Sequence, residues 1–180
     1  MIKLKNTKSI ILIILLFLTT NCSNNSAMKP EDFKNKEPRL IIENYLSGNV
    51  KAWGVLQNRS GKVTRQFSAD LNGQWDGKKL ILDEKFDWDD GEVQTRQWQI
   101  TKIDENNYEG TAGDVVGKAK GFSYGSAFKF EYVLLVPVKG REIKITFDDW
   151  IFKQDDRVAI NRATMLSLIH ISEPTRPGHI

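Results

Sequence analysis

Six residues of this sequence could form one binding or reactive surface: Arg65, Glu84, Trp88, Arg96, Trp98 and Asp149. A guanidinium grips a carboxylate or phosphate through paired hydrogen bonds. A carboxyl held among apolar neighbours can give or take a proton. The competing reading is a structural ion pair, where loss of one partner typically costs about 3–5 kcal/mol. Other reaction classes find little support. The two histidines, His170 and His179, lie in a C-terminal segment read below as foreign, and Cys22 is the only cysteine. That removes Ser/His/Asp and Cys/His nucleophiles and His/Cys zinc sites. Carboxylate-only chemistry by Glu84 and Asp149 stays open, and no cofactor is called for. The acidic turn Asp87, Asp89, Asp90, Glu92 lacks the spacing of an EF-hand loop, and turn chemistry accounts for it. The glycine-rich stretch from Gly110 to Gly125 lacks the Gly-Lys-Ser/Thr ending of a phosphate loop. Bulges and tight bends explain it better.

The surface exists only if strands carry these residues in the right register. From Val50 onward apolar residues alternate with polar ones, and turn signals recur about every ten residues, as in an all-β meander. About nine strands are expected, from Val50–Gln57 to Val158–Met165. Asp76-Gly77 as the centre of a two-residue turn pairs Leu71 with Leu82, Phe67 with Phe86 and Arg65 with Trp88. Asp89-Asp90-Gly91 as a three-residue loop pairs Phe86 with Gln94, Glu84 with Arg96, Leu82 with Trp98 and Leu80 with Ile100. Lys139-Gly140 pairs Tyr132 with Phe147 and Phe130 with Asp149. These registers gather the apolar side chains on one face, with Glu84, Arg96, Arg65 and Asp149 among them. The fold class expected is all-β: an antiparallel up-and-down β-barrel with a short N-terminal helix over residues 39–46. Tryptophans 53, 75, 88, 98 and 150 are read first as core residues.

The two ends are set aside. Residues 1–21 carry Lys3, Lys5 and Lys8 before an apolar run from Ile10 to Leu18, the layout of a signal peptide. Cys22 follows at a position resembling a bacterial lipobox, so lipidation there is expected, with acyl chains holding the protein on a membrane. Ser23 points to the outer membrane, facing the periplasm. Residues 22–37 read as a flexible tether and 38–165 as the barrel domain, with C-terminal strands missing. Residues 166–180 resemble the translation of a sequencing adapter. The formal charge of +3 falls to about zero without the two ends, so nucleic acid is not an expected partner.

Several stretches resemble the bacterial lipoprotein family called domain of unknown function 3833. They include Ala52-Trp53-Gly54, Gly73-Gln74-Trp75, Leu82-Asp83-Glu84, Asp90-Gly91-Glu92, Tyr108 to Gly117, Phe147-Asp148-Asp149-Trp150 and Asn161-Arg162. The resemblance implies a lipoprotein with a lipocalin-like barrel. It supplies no catalytic residues. The function expected is that of a lipid-anchored envelope protein holding a small apolar or lipid-like molecule, acidic-headed, with Arg65 or Arg96 on the head group. The alternatives are a structural or assembly factor of the outer membrane with a filled barrel, and a carboxylate-based enzyme acting on lipid or glycan.

Overall fold

The computed structural model describes residues 27–138 and 140–167. Cys22, residues 1–21 and most of the adapter-like tail lie outside the described residues.

Among the described residues nine strands form one antiparallel meander in sequence order. They are β1 (Gly48–Gln57), β2 (Val63–Trp75), β3 (Lys79–Trp88), β4 (Val93–Lys102), β5 (Asn107–Thr111), β6 (Ala119–Tyr124), β7 (Ala127–Val138), β8 (Arg141–Lys153) and β9 (Ala159–Ser167). The sheet curls into a half barrel, with β1 and β9 as its two edges among the described residues. Period-two burial follows the sequence alternation. In β3, Leu80 and Leu82 are buried, Glu84 is half-buried, and Asp83 and Lys85 are exposed.

The β3–β4 pairing sets Glu84 against Arg96, Leu82 against Trp98 and Phe86 against Gln94, as expected. Gly91 has φ +85°, and the Trp88 amide donates to the Glu92 carbonyl across a three-residue loop. The β7–β8 register also agrees, with Tyr132 opposite Phe147 and Phe130 opposite Asp149. The β2–β3 register is shifted by two residues from expectation: Leu71 faces Glu84, Ala69 faces Phe86 and Phe67 faces Trp88. The reason lies in Asp76. Its carboxylate accepts from the amides of Lys78 and Lys79, at 2.8 and 2.7 Å. Asp76 therefore opens the turn, and Gly77, at φ +100°, is a central residue. A two-residue slip changes partners and leaves faces intact, so the inward set survives.

The N-terminal segment closes one end of the half barrel. Its one α-helical turn, α1 (Ile42–Tyr45), is shorter than the helix expected over 39–46. Leu40, Ile42 and Leu46 are buried against Leu80, Ile100, Tyr108 and Phe128. Burying each such side chain contributes roughly 1.5–3 kcal/mol. The backbone needs glycine where this strap crosses the sheet. A Cβ on Gly73 would lie 1.9 Å from the Leu46 carbonyl oxygen, and one on Gly125 would lie 1.8 Å from that of Phe33. Glu43, 5% exposed, locks the strap by accepting from Lys102 Nζ at 2.5 Å and from the Tyr108 hydroxyl at 2.8 Å. Part of the stretch read as tether is ordered too. Pro30–Phe33 forms a 3-10 turn, and the Phe33 ring lies 5.9 Å from Trp150 and 5.4 Å from Phe152. Aromatic packing outweighs the polar composition there.

Two glycines expected to mark bulges instead make room for rings. Added Cβ atoms at Gly110 and Gly121 would meet the Phe130 and Phe128 rings at 2.4 and 2.9 Å. The register irregularity between β1 and β2 falls elsewhere, at Leu56/Gln57.

Candidate functional site

The inward face has three levels. Nearest the strap it is apolar and buried, with Leu80, Leu82, Trp98, Ile100, Phe128 and Phe130 in one cluster. At mid-height it is polar. Toward the opposite end, inward residues such as Phe67, Phe86, Trp88, Val136 and Phe147 stay half-buried, and Met165 on β9 is 43% exposed. That end stays open because nothing equivalent to the strap crosses it among the described residues.

The polar level gathers side chains from six places. Glu84 (β3) and Arg96 (β4) are cross-strand neighbours, with Arg96 Nη1 3.8 Å from Glu84 Oε2. Their side chains are only 12% and 22% exposed. Asp114, from the turn after β5, is bound by Arg96 through Nε and Nη2, at 3.1 and 2.8 Å. Tyr132 (β7) donates to Asp149 Oδ2 on β8 over a long 3.4 Å, and Asn161 (β9) donates to Asp149 Oδ1.

Electrostatics follow from this crowding. Burial pushes the Glu84 carboxyl up to about 7; Arg96 and the Trp98 indole N–H oppose it, while the charges of Asp149 and Asp114 add to it. Burial also raises Asp149, against the bonds from Asn161 and Tyr132. Burial works to lower Arg96, but the Asp114 bonds and the Glu84 charge outweigh it and hold its guanidinium above the ordinary range. Glu84 Oε2 is buried and has no hydrogen-bond partner. Such an atom ordinarily costs about 1–3 kcal/mol unless it is protonated or paired.

The structure thus brings four of the six singled-out residues together at mid-height: Glu84, Arg96, Asp149 and, beneath them, Trp98. Arg65 and Trp88 sit apart at the open rim. The Arg65 guanidinium lies 4.0 Å from the Trp88 ring centroid, although the register makes them diagonal neighbours and not opposite ones. Each arginine is engaged by acids, although Arg65 Nε and the neighbouring Trp88 Nε1 are buried without a hydrogen-bond partner. Arg65 bonds Asp90 and Glu92, each at 2.8 Å, so the acidic turn is spent on this contact. Arg96 is occupied by Asp114, an acid inside the glycine-rich stretch whose position no hairpin register gives. The sequence register pairs Tyr132 with Phe147 but carries no signal that marks it for this site, and Asn161 stands only in the resembling segment Asn161-Arg162.

Other features carry less. Trp150, 2% exposed, is buried on the outer face under Phe33, and Trp53 is 74% exposed. A depression of about 750 Å³ spans β1 to β4, lined chiefly by outward-register side chains such as Lys51, Asp70, Asn72 and Lys85. Lys51 and Asp70 pair across it at 2.8 Å, which marks it as a solvated saddle of the twisted sheet. Among the described residues no group of three or more His, Cys, Asp or Glu is placed to hold a metal ion, and no helix is long and apolar enough to cross a membrane.

Residues 16–169 match the model of a family described as a protein of unknown function, DUF3833. The chain belongs to the DUF3833 family. The match runs through Cys22 and every described strand, so the open half barrel and its polar middle lie inside the DUF3833 region. No curated protein and no solved structure matches the chain.

Proposed function

We propose that this DUF3833 protein is a lipid-anchored envelope lipoprotein that binds a small apolar or lipid-like molecule in the open end of its half barrel. The observation that carries this reading is the inward face: sealed by the strap at one end, walled by Phe67, Phe86, Trp88 and Phe147 at the other, with a few fixed polar groups between. Apolar walls with sparse convergent polar groups are the usual make-up of ligand sites. Acylation of Cys22 would hold the protein near a source of such molecules, at the outer membrane facing the periplasm.

Mass spectrometry of lipids retained by the natively purified full-length protein tests the reading. A retained species that is lost on Trp88→Ala and Phe86→Ala substitution is the expected result. No retained species, and no binding to a panel of apolar amphiphiles, would overturn it. The occupation of both arginines by neighbouring acids favours a second reading, a self-satisfied interior serving a structural or assembly role in the envelope. The same negative result would support it.

A further inference from the structure

We infer that the polar level of the interior receives a positively charged hydrogen-bond donor, an ammonium at the end of an apolar chain, and not a carboxylate or phosphate. The inference rests on the binding reading above and adds the chemistry of the head group.

Charge balance at mid-height gives the direction. Glu84 from β3, Asp114 from the turn after β5 and Asp149 from β8 surround one guanidinium, Arg96 from β4, and the other titratable neighbours are the Tyr132 hydroxyl from β7 and Asp148, next to Asp149 on the outer face of β8. With all three acids ionised the level carries an excess of two negative charges. Arg96 already holds Asp114 with Nε and Nη2, and its Nη1 stands 3.8 Å from Glu84, beyond hydrogen-bond reach. An incoming anion would meet a guanidinium already engaged, with two further carboxylates beside it.

The open valence in the cluster is an acceptor. Glu84 Oε2 is buried without a partner. The side chains around this atom are not sealed: that of Asp114 is 39% exposed and that of Glu84 12%. An ammonium arriving there would donate to Glu84 Oε2 and offset the crowding of carboxylates, while its chain lay along Phe147 and the rim aromatics. Phe147 stacks on Tyr132 with centroids 5.0 Å apart, and aromatic faces of this kind attract cations. Carboxylate-to-ammonium hydrogen bonds are about twice as strong as neutral ones.

Three single-chain probes of equal length separate the possibilities: dodecylammonium, dodecanol and dodecanoate, titrated calorimetrically into the full chain below their aggregation concentrations. Dodecylammonium is expected to bind at least about tenfold tighter than dodecanoate and tighter than dodecanol. Glu84 should lose its proton as the cation binds, so heats at pH 6.5 in buffers of different ionisation enthalpy should show proton release. Glu84→Gln should abolish both the release and the preference for the ammonium while leaving dodecanol binding in place. Dodecanoate or dodecanol binding as tightly as dodecylammonium to the unsubstituted chain would overturn the head-group inference and leave the apolar site standing. Binding of none of the three would overturn the apolar site itself. The comparison on the unsubstituted chain decides even where Glu84→Gln fails to fold.

Discussion

Glu84 is an acid placed where ionisation is costly, and that has a consequence for stability. Its carboxyl titrates near 4.5 in an open chain and near 7 in the fold, because burial and the charges of Asp149 and Asp114 outweigh the help of Arg96 and Trp98. Between those values the folded state holds a proton that the unfolded state has released. Stability from this group is therefore complete below about pH 4.5 and declines as the pH rises to about 7, by on the order of 3 kcal/mol. Glu84→Gln should flatten that decline, measured as urea midpoints between pH 4.5 and 8. Asp149 is raised in the same sense, so adding Asp149→Asn should flatten it further. An unchanged slope in both variants would show that neither carboxyl is protonated in the fold. The two arginines differ at the same scale. Asp114→Ala should cost roughly 1–3 kcal/mol, because it strips a two-point contact from a guanidinium only 22% exposed. Asp90→Ala should cost under about 1 kcal/mol, because Asp90 is 52% exposed and Glu92 still holds Arg65.

At the scale of elements, the strap from Pro30 to Leu46 is the part whose seating depends on single positions. Glu43 is satisfied on both carboxylate oxygens, and its own pKa falls below the ordinary range: burial works to raise it, but the bonds from Lys102, its own backbone amide and Tyr108 prevail. Glu43→Ala should therefore destabilise by roughly 3–5 kcal/mol, the usual cost of breaking a buried pair. Gly73→Ala should cost roughly 1–3 kcal/mol by forcing the strap off the sheet. Chemical denaturation gives both costs, and hydrogen exchange at Leu46 and Ser47 should rise in Gly73→Ala before the strands are affected. The hairpins were largely readable because their turns carry their own chemistry. Gly91 and Gly140 take the positive φ that their loops require, and the pairings around them came out as expected. The β2–β3 turn lies one residue later than the Asp76-Gly77 pair suggests, because Asp76 can either sit in a turn or cap one. Only the amides of Lys78 and Lys79, seen in place, decide between the two.

At the scale of the molecule, the meander leaves asymmetric edges. Along β9 both faces of the strand from Ile160 to Leu166 are exposed, whereas β4 and β7 bury alternate residues. Amides of β9 should exchange with solvent well before those of β4 and β7, by at least about a hundredfold, since an edge strand without packed side chains opens locally. Equal protection across these strands would mean that β9 is covered in solution.

From the sequence alone came the strand class, the count of nine, the inward face and the meeting of Glu84 with Arg96. Period-two alternation and turn residues are local properties, and a two-residue slip cannot disturb a face. What only the tertiary structure decided involves residues far apart in the chain: Asp114 on Arg96, Asn161 and Tyr132 on Asp149, Glu43 between Lys102 and Tyr108, and the strap across one end. No spacing rule connects such pairs, because the curvature of the whole sheet sets their separation. That curvature set acids against both of the expected anion-binding arginines, and left Glu84 Oε2 in the polar middle without a hydrogen-bond partner.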